Sequence, residues 1–272
     1  MRQGRSNKRA WDMKAILITG GGSGIGRAVA QLFATRGWRV GLADRDPAGL
    51  IDTAATLPTD RTTSHVMDVR APEDWEEVLA EFVGASGGRL DVLFNNAGVA
   101  VGGPFGATSL EDLDRALDVN LKGVVYGARL AYPFLAATPG ACLLNTASAA
   151  GIYGTAGAAV YSATKFGVRG LTEALDAEWA ADGIRVRSLM PGFIDTPLLQ
   201  AGVGGSNRSV RETVVEAGLE FTPVETVAEA AWAAVHGERM HTLVGKTARR
   251  LAFASRWMPG SLRKRMRGGR GL

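Results

Sequence analysis

From Lys14 onward the chain alternates between short apolar or β-branched runs and longer segments whose apolar positions recur every three or four residues. The short runs at 15–19, 38–43, 62–67, 90–95, 141–146 and 184–189 predict strands, and the segments 27–36, 72–82, 110–135 and 161–181 predict amphipathic helices. Strands alternating with helices imply right-handed parallel βαβ units. The expected fold is therefore α/β, a doubly wound parallel sheet with helices on both faces and ligands gathered at the strand C-termini. After residue 189 the rhythm changes. Residues 190–207 are rich in Pro, Gly and small side chains, and a helical stretch follows at about 209–218, as in a segment that covers a site. A helix at about 224–235 and a short strand at 241–244 would complete the sheet. No internal repeat interrupts this order.

A chain of 272 residues can bury one sizeable core, and its 36 glycines with only 7% aromatic residues fit many tight strand-to-helix turns. Cys142 is the only cysteine, which rules out an intramolecular disulfide. It sits in an apolar run, so an inert core thiol is expected. The three histidines are scattered without ligand spacing, so no metal is expected and the reducing cytoplasm is the natural compartment. No apolar stretch is long enough to span a bilayer, and the first residues lack the apolar segment of a secretory signal.

Charge divides the chain into three parts. Residues 1–14 carry five Lys/Arg and residues 246–272 carry nine with no acid, whereas 15–245 hold 17 basic and 26 acidic residues. The expected organisation is a basic N-terminal extension without fixed structure at 1–13, a folded domain at 14–245 and a basic amphipathic extension at 246–272. Met13 directly precedes the first strand, so residues 1–12 read as an addition made by start-site choice.

Candidate chemistry lies where the predicted strands end. The first strand runs into Thr19-Gly20-Gly21-Gly22-Ser23-Gly24-Ile25-Gly26 and then a helix, a turn whose glycines let the backbone approach a pyrophosphate at a helix N-terminus. The second strand ends at Asp44, where an acid accepts hydrogen bonds from ribose hydroxyls and repels a 2′-phosphate; Arg45 beside it can pair a phosphate instead. Asp68, with Val69 after it, is placed to meet the adenine or to cap the helix beginning at Pro72. Asn95-Asn96-Ala97-Gly98 offers a tight wall beside a flat ligand, or a plain Asx turn. Ser148 precedes Tyr161 by thirteen residues, and Lys165 follows Tyr161 at i+4 on the same helix face. A phenol titrates near 10, roughly three units too high for ready proton exchange at neutral pH, and a nearby ammonium is expected to lower it. Asn120 supplies a polar break and a water relay within its helix.

These residues resemble the short-chain dehydrogenase/reductase family: Thr19 to Gly26 matches TGxxxGIG, Asn95 to Gly98 matches NNAG, Tyr161 to Lys165 matches YxxxK, and Pro191-Gly192 matches the PG after the sixth strand. The resemblance covers about residues 14–245 and implies a Rossmann-type dinucleotide-binding and catalytic domain. It implies Tyr161 as catalytic acid/base, Lys165 binding the nicotinamide ribose, Ser148 orienting the carbonyl and Asn120 holding a relay water. Cofactor contacts are then expected from Gly20, Ser23, Gly24, Ile25, Gly26, Asp44, Arg45, Asp68, Val69, Asn96, Ala97, Gly98, Tyr161, Lys165, Pro191, Gly192, Ile194 and Thr196. Asp44, with Ser23 where NADP-using relatives often place a basic residue, points to NAD over NADP, and NAD favours oxidation as the direction in the cell. The family's habits imply a homotetramer or homodimer through the helices at 110–135 and 161–181.

Phe193, Leu198, Leu199 and Val203, with Ala149, Ala150, Ile152 and Tyr153, predict an apolar or partly apolar alcohol or ketone as the small-molecule substrate. The C-terminal stretch 247–267 interleaves apolar and basic residues about a break at Pro259-Gly260. It can pack on its own domain or a sister subunit, or touch an anionic membrane surface. Two other classes of function remain: a dinucleotide-sensing module without turnover, and a surface protein whose tail binds membrane or nucleic acid. The full set Asn120, Ser148, Tyr161 and Lys165 argues for the enzyme, and nucleic acid is not the expected partner.

Overall fold

The computed structural model describes residues 13–200, 202, 209–216 and 218–267. Strand β1 (Ala15–Thr19) is wholly buried and feeds helix α1 (Gly24–Thr35), which returns the chain to β2 (Arg39–Asp44). Helix α2 (Pro47–Ala54) starts on Pro47 with the Asp46 carboxylate accepting from Ala48 N, and helix α3 (Pro72–Ala85) starts on Pro72 with Glu73 and Asp74 in its first turn. Between them lies β3 (Thr62–Val66), half-exposed at the sheet edge; β4 (Val92–Asn95) follows α3. Helices α4 (Leu110–Leu117) and α5 (Gly123–Ala136) precede β5 (Cys142–Thr146), and α6 (Ala159–Glu178) precedes β6 (Arg185–Pro191). The remaining elements are β7 (Phe193–Ile194), α7 (Val210–Glu216), β8 (Phe221–Thr222), α8 (Val224–His236), β9 (His241–Val244), α9 (Lys246–Trp257) and α10 (Pro259–Arg267).

Among the described residues seven strands form one sheet in the order β3-β2-β1-β4-β5-β6-β9, every pair parallel. Alternation along β1 separates two cores. Ile16 and Ile18 pack with Val29 and Phe33 of α1 and Ala228 and Ala231 of α8, whereas Leu17 faces Trp75 and Phe82 of α3 and Ala131 and Leu135 of α5. The sheet is thus covered on both faces, as the pattern predicts. Because β1 lies between β2 and β4, successive crossovers leave it in opposite directions, and a crevice opens beyond its C-terminal end.

The expected strands recur with ends moved by one or two residues. The expected helix 110–135 is not continuous: residues 118–122 form a π turn between α4 and α5. The extra residue in that turn goes with Asn120, whose fully buried amide bonds the backbone of Val99. Helix α6 begins two residues before Tyr161 and ends at Glu178, with a 3₁₀ turn at Ala180–Asp182. Cys142 is the inert core thiol expected, fully buried, with burial pushing its pKa up to about 12. Residues 1–12 and Val203, each given a role from sequence, lie outside the described residues. No helix among the described residues is long and apolar enough to cross a membrane.

Candidate active site

A cavity of about 760 Å³ opens at the C-terminal ends of β1, β2, β4 and β5 and runs under α7 and α9. Of the candidate catalytic residues Ser148, Tyr161 and Lys165 line it, and of the candidate cofactor residues all but Gly26 do. Gly26 instead lies beneath the turn. A Cβ there would sit 2.0 Å from the Gly20 carbonyl oxygen, so only glycine lets α1 start this close to β1.

The glycine turn is held by its neighbours. Gly20 has φ of 68° and Gly24 of 49°, and a Cβ on Gly20 would come within 3.0 Å of Ala97 Cα. Gly22 N donates to Asp44 Oδ2 at 2.9 Å, while its carbonyl accepts from Arg27 Nη2 at 2.7 Å and from the Thr53 hydroxyl at 3.1 Å. Asp44 also accepts from Asp46 N at 3.1 Å through Oδ1. Two backbone donors thus orient its carboxylate at the cavity wall. Ser23 precedes α1 in extended backbone, and its side chain makes no cap hydrogen bond.

Asp68 lines the same wall, but it does not cap α3: Ala71 holds the cap position, and Asp68 accepts a forked bond from Arg70, with Nη2 at 2.6 Å from Oδ2. That bond holds its carboxyl below the usual range, with Arg45 adding to the field. Asn96 is placed by three strands at once. Its amide donates to Thr19 O at 3.0 Å and accepts from the Thr146 hydroxyl at 3.2 Å, and its backbone N donates to Thr19 Oγ1 at 3.0 Å. Thr19 Oγ1 also accepts from Ala97 N at 3.0 Å, pinning the wall that sequence reasoning attributed to the Asn-Asn-Ala-Gly turn alone.

Lys165 is buried to 3% exposure, and its Nζ donates to Thr146 O at 2.8 Å while lying 5.7 Å from the Tyr161 ring centre. Burial lowers its pKa to about 8. The expected lowering of the Tyr161 phenol is not what the structure shows. Burial raises its pKa, and the opposing influence is a hydrogen bond with Ser148 rather than the ammonium. Desolvation penalises the phenolate more than these neighbours favour it. Ser148 Oγ also accepts from Ala150 N at 3.1 Å, which fixes the side chain at the end of β5.

Asn120 does not face the cavity. It sits one layer behind, with Oδ1 accepting from Val99 N at 2.8 Å and Nδ2 donating to Val99 O at 2.9 Å. An amide has both a donor and an acceptor, so it can satisfy both groups of one peptide strand; the sequence reading expected instead a polar break and a water relay. Of the expected substrate contacts, Phe193, Leu198, Leu199, Ala149 and Ala150 line the cavity; Ile152 and Tyr153 pack instead with Leu251 and Leu262. The structure adds Val101, Val214, Leu219, Thr247 and Leu251 to the lining. No local signal marks them, because they arrive from α7, α9 and distant loops.

Residues 14–203 match the short chain dehydrogenase family model. The chain belongs to that family. Within it, the chain is 40% identical over 186 residues to the meso-2,3-butanediol dehydrogenase of Serratia marcescens, covering 68% of this chain and 73% of that one. It is 38% identical over 200 residues to the cyclohexanol dehydrogenase of Acinetobacter sp. (strain SE19), covering 71% and 77%. A short chain dehydrogenase/reductase from Burkholderia phymatum, solved in complex with NAD, superposes with a TM-score of 0.81 at 27% identity, covering 94% of this chain and 96% of that one. These short-chain dehydrogenase relatives support oxidoreduction of an alcohol or ketone, and the seven-stranded sheet is the one such dehydrogenases share.

Proposed function

We propose that this protein moves a hydride between NAD(H) and a secondary alcohol or its ketone of apolar or partly apolar character, with NAD preferred over NADP. The observation that carries the reading is the meeting of Ser148, Tyr161 and Lys165 in one cavity whose wall also holds the Asp44 carboxylate. The glycine turn fits a dinucleotide: a Cβ on Gly20, which lines the cavity, would press to 3.0 Å on Ala97 Cα, so bare backbone faces the cavity there. Asp44, already oriented by Gly22 N and Asp46 N, keeps lone pairs for ribose hydroxyls and repels a 2′-phosphate. When bound, the nicotinamide supplies or accepts the hydride.

The chain's own groups do the rest. Tyr161 gives a proton to the substrate oxygen in reduction and takes it back in oxidation, at its phenolic oxygen. Its raised pKa keeps it protonated near neutrality, which suits the donor role directly; oxidation needs the phenolate and gains as pH rises. Ser148 donates to the same oxygen and steadies developing negative charge. Lys165, anchored on Thr146 O, would present its remaining donors to the nicotinamide ribose of a bound dinucleotide. The apolar side chains around them, among them Val101, Phe193, Leu199 and Leu251, exclude water and fit an apolar substrate body.

The test is absorbance of reduced nicotinamide with NAD and with NADP across secondary alcohols ranging from small aryl compounds to steroids and hydroxyacyl thioesters. Production of NADH from one class, lost in Tyr161→Phe while NADH binding persists, is the expected result. Undiminished turnover in Tyr161→Phe sinks the assignment. Tight NADH binding with no turnover of any class favours the sensing module.

A further inference from the structure

Helix α9 carries its apolar residues on two opposite faces, and only one of them is used by the fold. Ala248 and Leu251 are buried against Ala149 and Leu262, and Thr247 and Leu251 line the catalytic cavity. The other face points to solvent, yet it holds Phe253 at 60% and Trp257 at 66% exposure, with Met258 at 49% just beyond. At 3.6 residues per turn, Lys246, Arg249, Arg250, Phe253, Arg256 and Trp257 fall within about a third of the helix circumference. The Arg256 guanidinium lies 5.3 Å from the Trp257 ring centre. Helix α10 adds exposed Arg263, Lys264, Arg265 and Arg267, with Arg265 lining the same groove as Arg250 and Met258. Lys246 is paired with Glu220 at 3.1 Å, so on α9 itself Arg249, Arg250 and Arg256 are the cations set around the exposed Phe253 and Trp257.

We propose that this face docks the protein on an anionic lipid surface. Basic side chains meet headgroup phosphates while Phe253, Trp257 and Met258 enter the boundary beneath them, the arrangement by which amphipathic helices lie on bilayers. A symmetric contact with a second copy through this face would set the same arginines against each other, so self-association is the poorer occupant. Nucleic acid would answer the charge equally well. Lipid is favoured because the inner side of the same helix lines the apolar cavity, so docking sets the wall of that cavity against a phase in which apolar alcohols and ketones concentrate. The choice of lipid over nucleic acid rests on the proposed apolar substrate, whereas vesicle binding is read without any turnover.

Co-sedimentation of the full chain with vesicles tests this, using phosphatidylcholine alone and phosphatidylcholine mixed with phosphatidylglycerol. Binding to the mixed vesicles only is expected, falling steeply when salt is raised. Arg249→Glu with Arg256→Glu should weaken it by about 25-fold or more, taking roughly fivefold per cation removed. Phe253→Ser with Trp257→Ser should weaken it comparably. All four side chains lie outside the cavity lining, so turnover of a water-dissolved substrate should persist, and unchanged thermal melting certifies the variants. Equal binding to both vesicle types, or no binding to either, overturns the proposal. So does binding of a random RNA oligonucleotide without vesicle binding. A change of oligomer mass in the variants with vesicle binding intact would assign the face to subunit contact and likewise overturn it.

Discussion

Replacing Lys165 by Met should destroy turnover and yet make the folded protein more stable at neutral pH. In the fold the lysine is almost fully buried, and burial brings its pKa from 10.5 down to about 8. At pH 7 the ammonium is still charged in both states, and the gap between those two values is a cost to the folded state of roughly 3 kcal/mol. Met fills a similar volume without charge, so that cost disappears. Against the gain stands the lost bond to Thr146 O, which leaves a buried carbonyl and costs about 1–2 kcal/mol. A net gain of roughly 1–2 kcal/mol raises Tm by about 2–6 °C for a chain of this size. The pH dependence distinguishes this from a generic packing effect. Because the folded pKa is the lower one, the unfolded chain binds more protons between about 8 and 10.5, and wild-type stability rises with pH through that window. The variant's advantage should therefore be full below about pH 8, shrink by roughly 2–3 kcal/mol by pH 10, and change sign as the lost hydrogen bond becomes the only difference. Urea denaturation of both proteins at pH 7, 8.5 and 10 measures it. An advantage that does not move with pH, or a variant less stable at pH 7, would refute the account of the buried charge.

Other substitutions probe the remaining geometry. Asp44→Asn keeps an acceptor for Gly22 N but removes the charge, so the ratio of kcat/KM with NAD to that with NADP should fall by about tenfold or more, chiefly through KM; an unchanged ratio removes Asp44 from cofactor choice. Gly26→Ala places a methyl group 2.0 Å from the Gly20 carbonyl, where nothing on a side chain can rotate away, so dinucleotide affinity measured by NADH fluorescence should drop below detection or the protein should fail to fold. Asn120→Ala leaves both backbone groups of Val99 without their partner and should cost about 2–4 kcal/mol in urea denaturation, while Asn120→Asp, which keeps only the acceptor, should cost no less. Oxidation with the preferred substrate should climb with pH as the Tyr161 phenolate forms, and reduction should not; identical profiles in both directions would count against Tyr161 as the titrating group.

What could be read from sequence was whatever is written locally. A strand that ends in glycines before a helix, an acid at the end of the next strand, and a Tyr-Lys pair one helical turn apart each carry their geometry in a handful of consecutive residues. The structure brings all but Gly26 and Asn120 to one cavity. What stayed hidden depends on residues far apart in the chain. Thr19 Oγ1 is one atom serving two backbone donors some 77 and 78 positions away, and nothing in the first strand's pattern distinguishes it from any buried threonine. The π turn at 118–122 hides because the partner its Asn120 bonds, the backbone of Val99, lies outside the helix in which it sits. The direction of the Tyr161 shift was missed for a related reason. Sequence shows that a cation is near, but only packing shows that burial sets the direction, opposed by the Ser148 hydrogen bond rather than by the ammonium.

Several departures from comfortable protein architecture share one rim. A charged lysine out of water, a helix with an extra residue in its turn, Gly20 and Gly24 in left-handed backbone and a carboxylate tied by two main-chain donors all lie at or just behind the C-terminal edge of β1, β2, β4 and β5. Elsewhere the sheet is built of buried aliphatic strands and proline-started helices, with the buried Arg187 of β6 paired to Asp176. Two well-filled cores supply the stability that such a rim consumes, and helix α9 fits the same division. Its inner face closes the rim over the cavity, while its outer face keeps two aromatic rings in water that no packing within the chain requires. An exposed cost of that kind, set among cations and next to the catalytic cavity, is what the proposed lipid docking would account for.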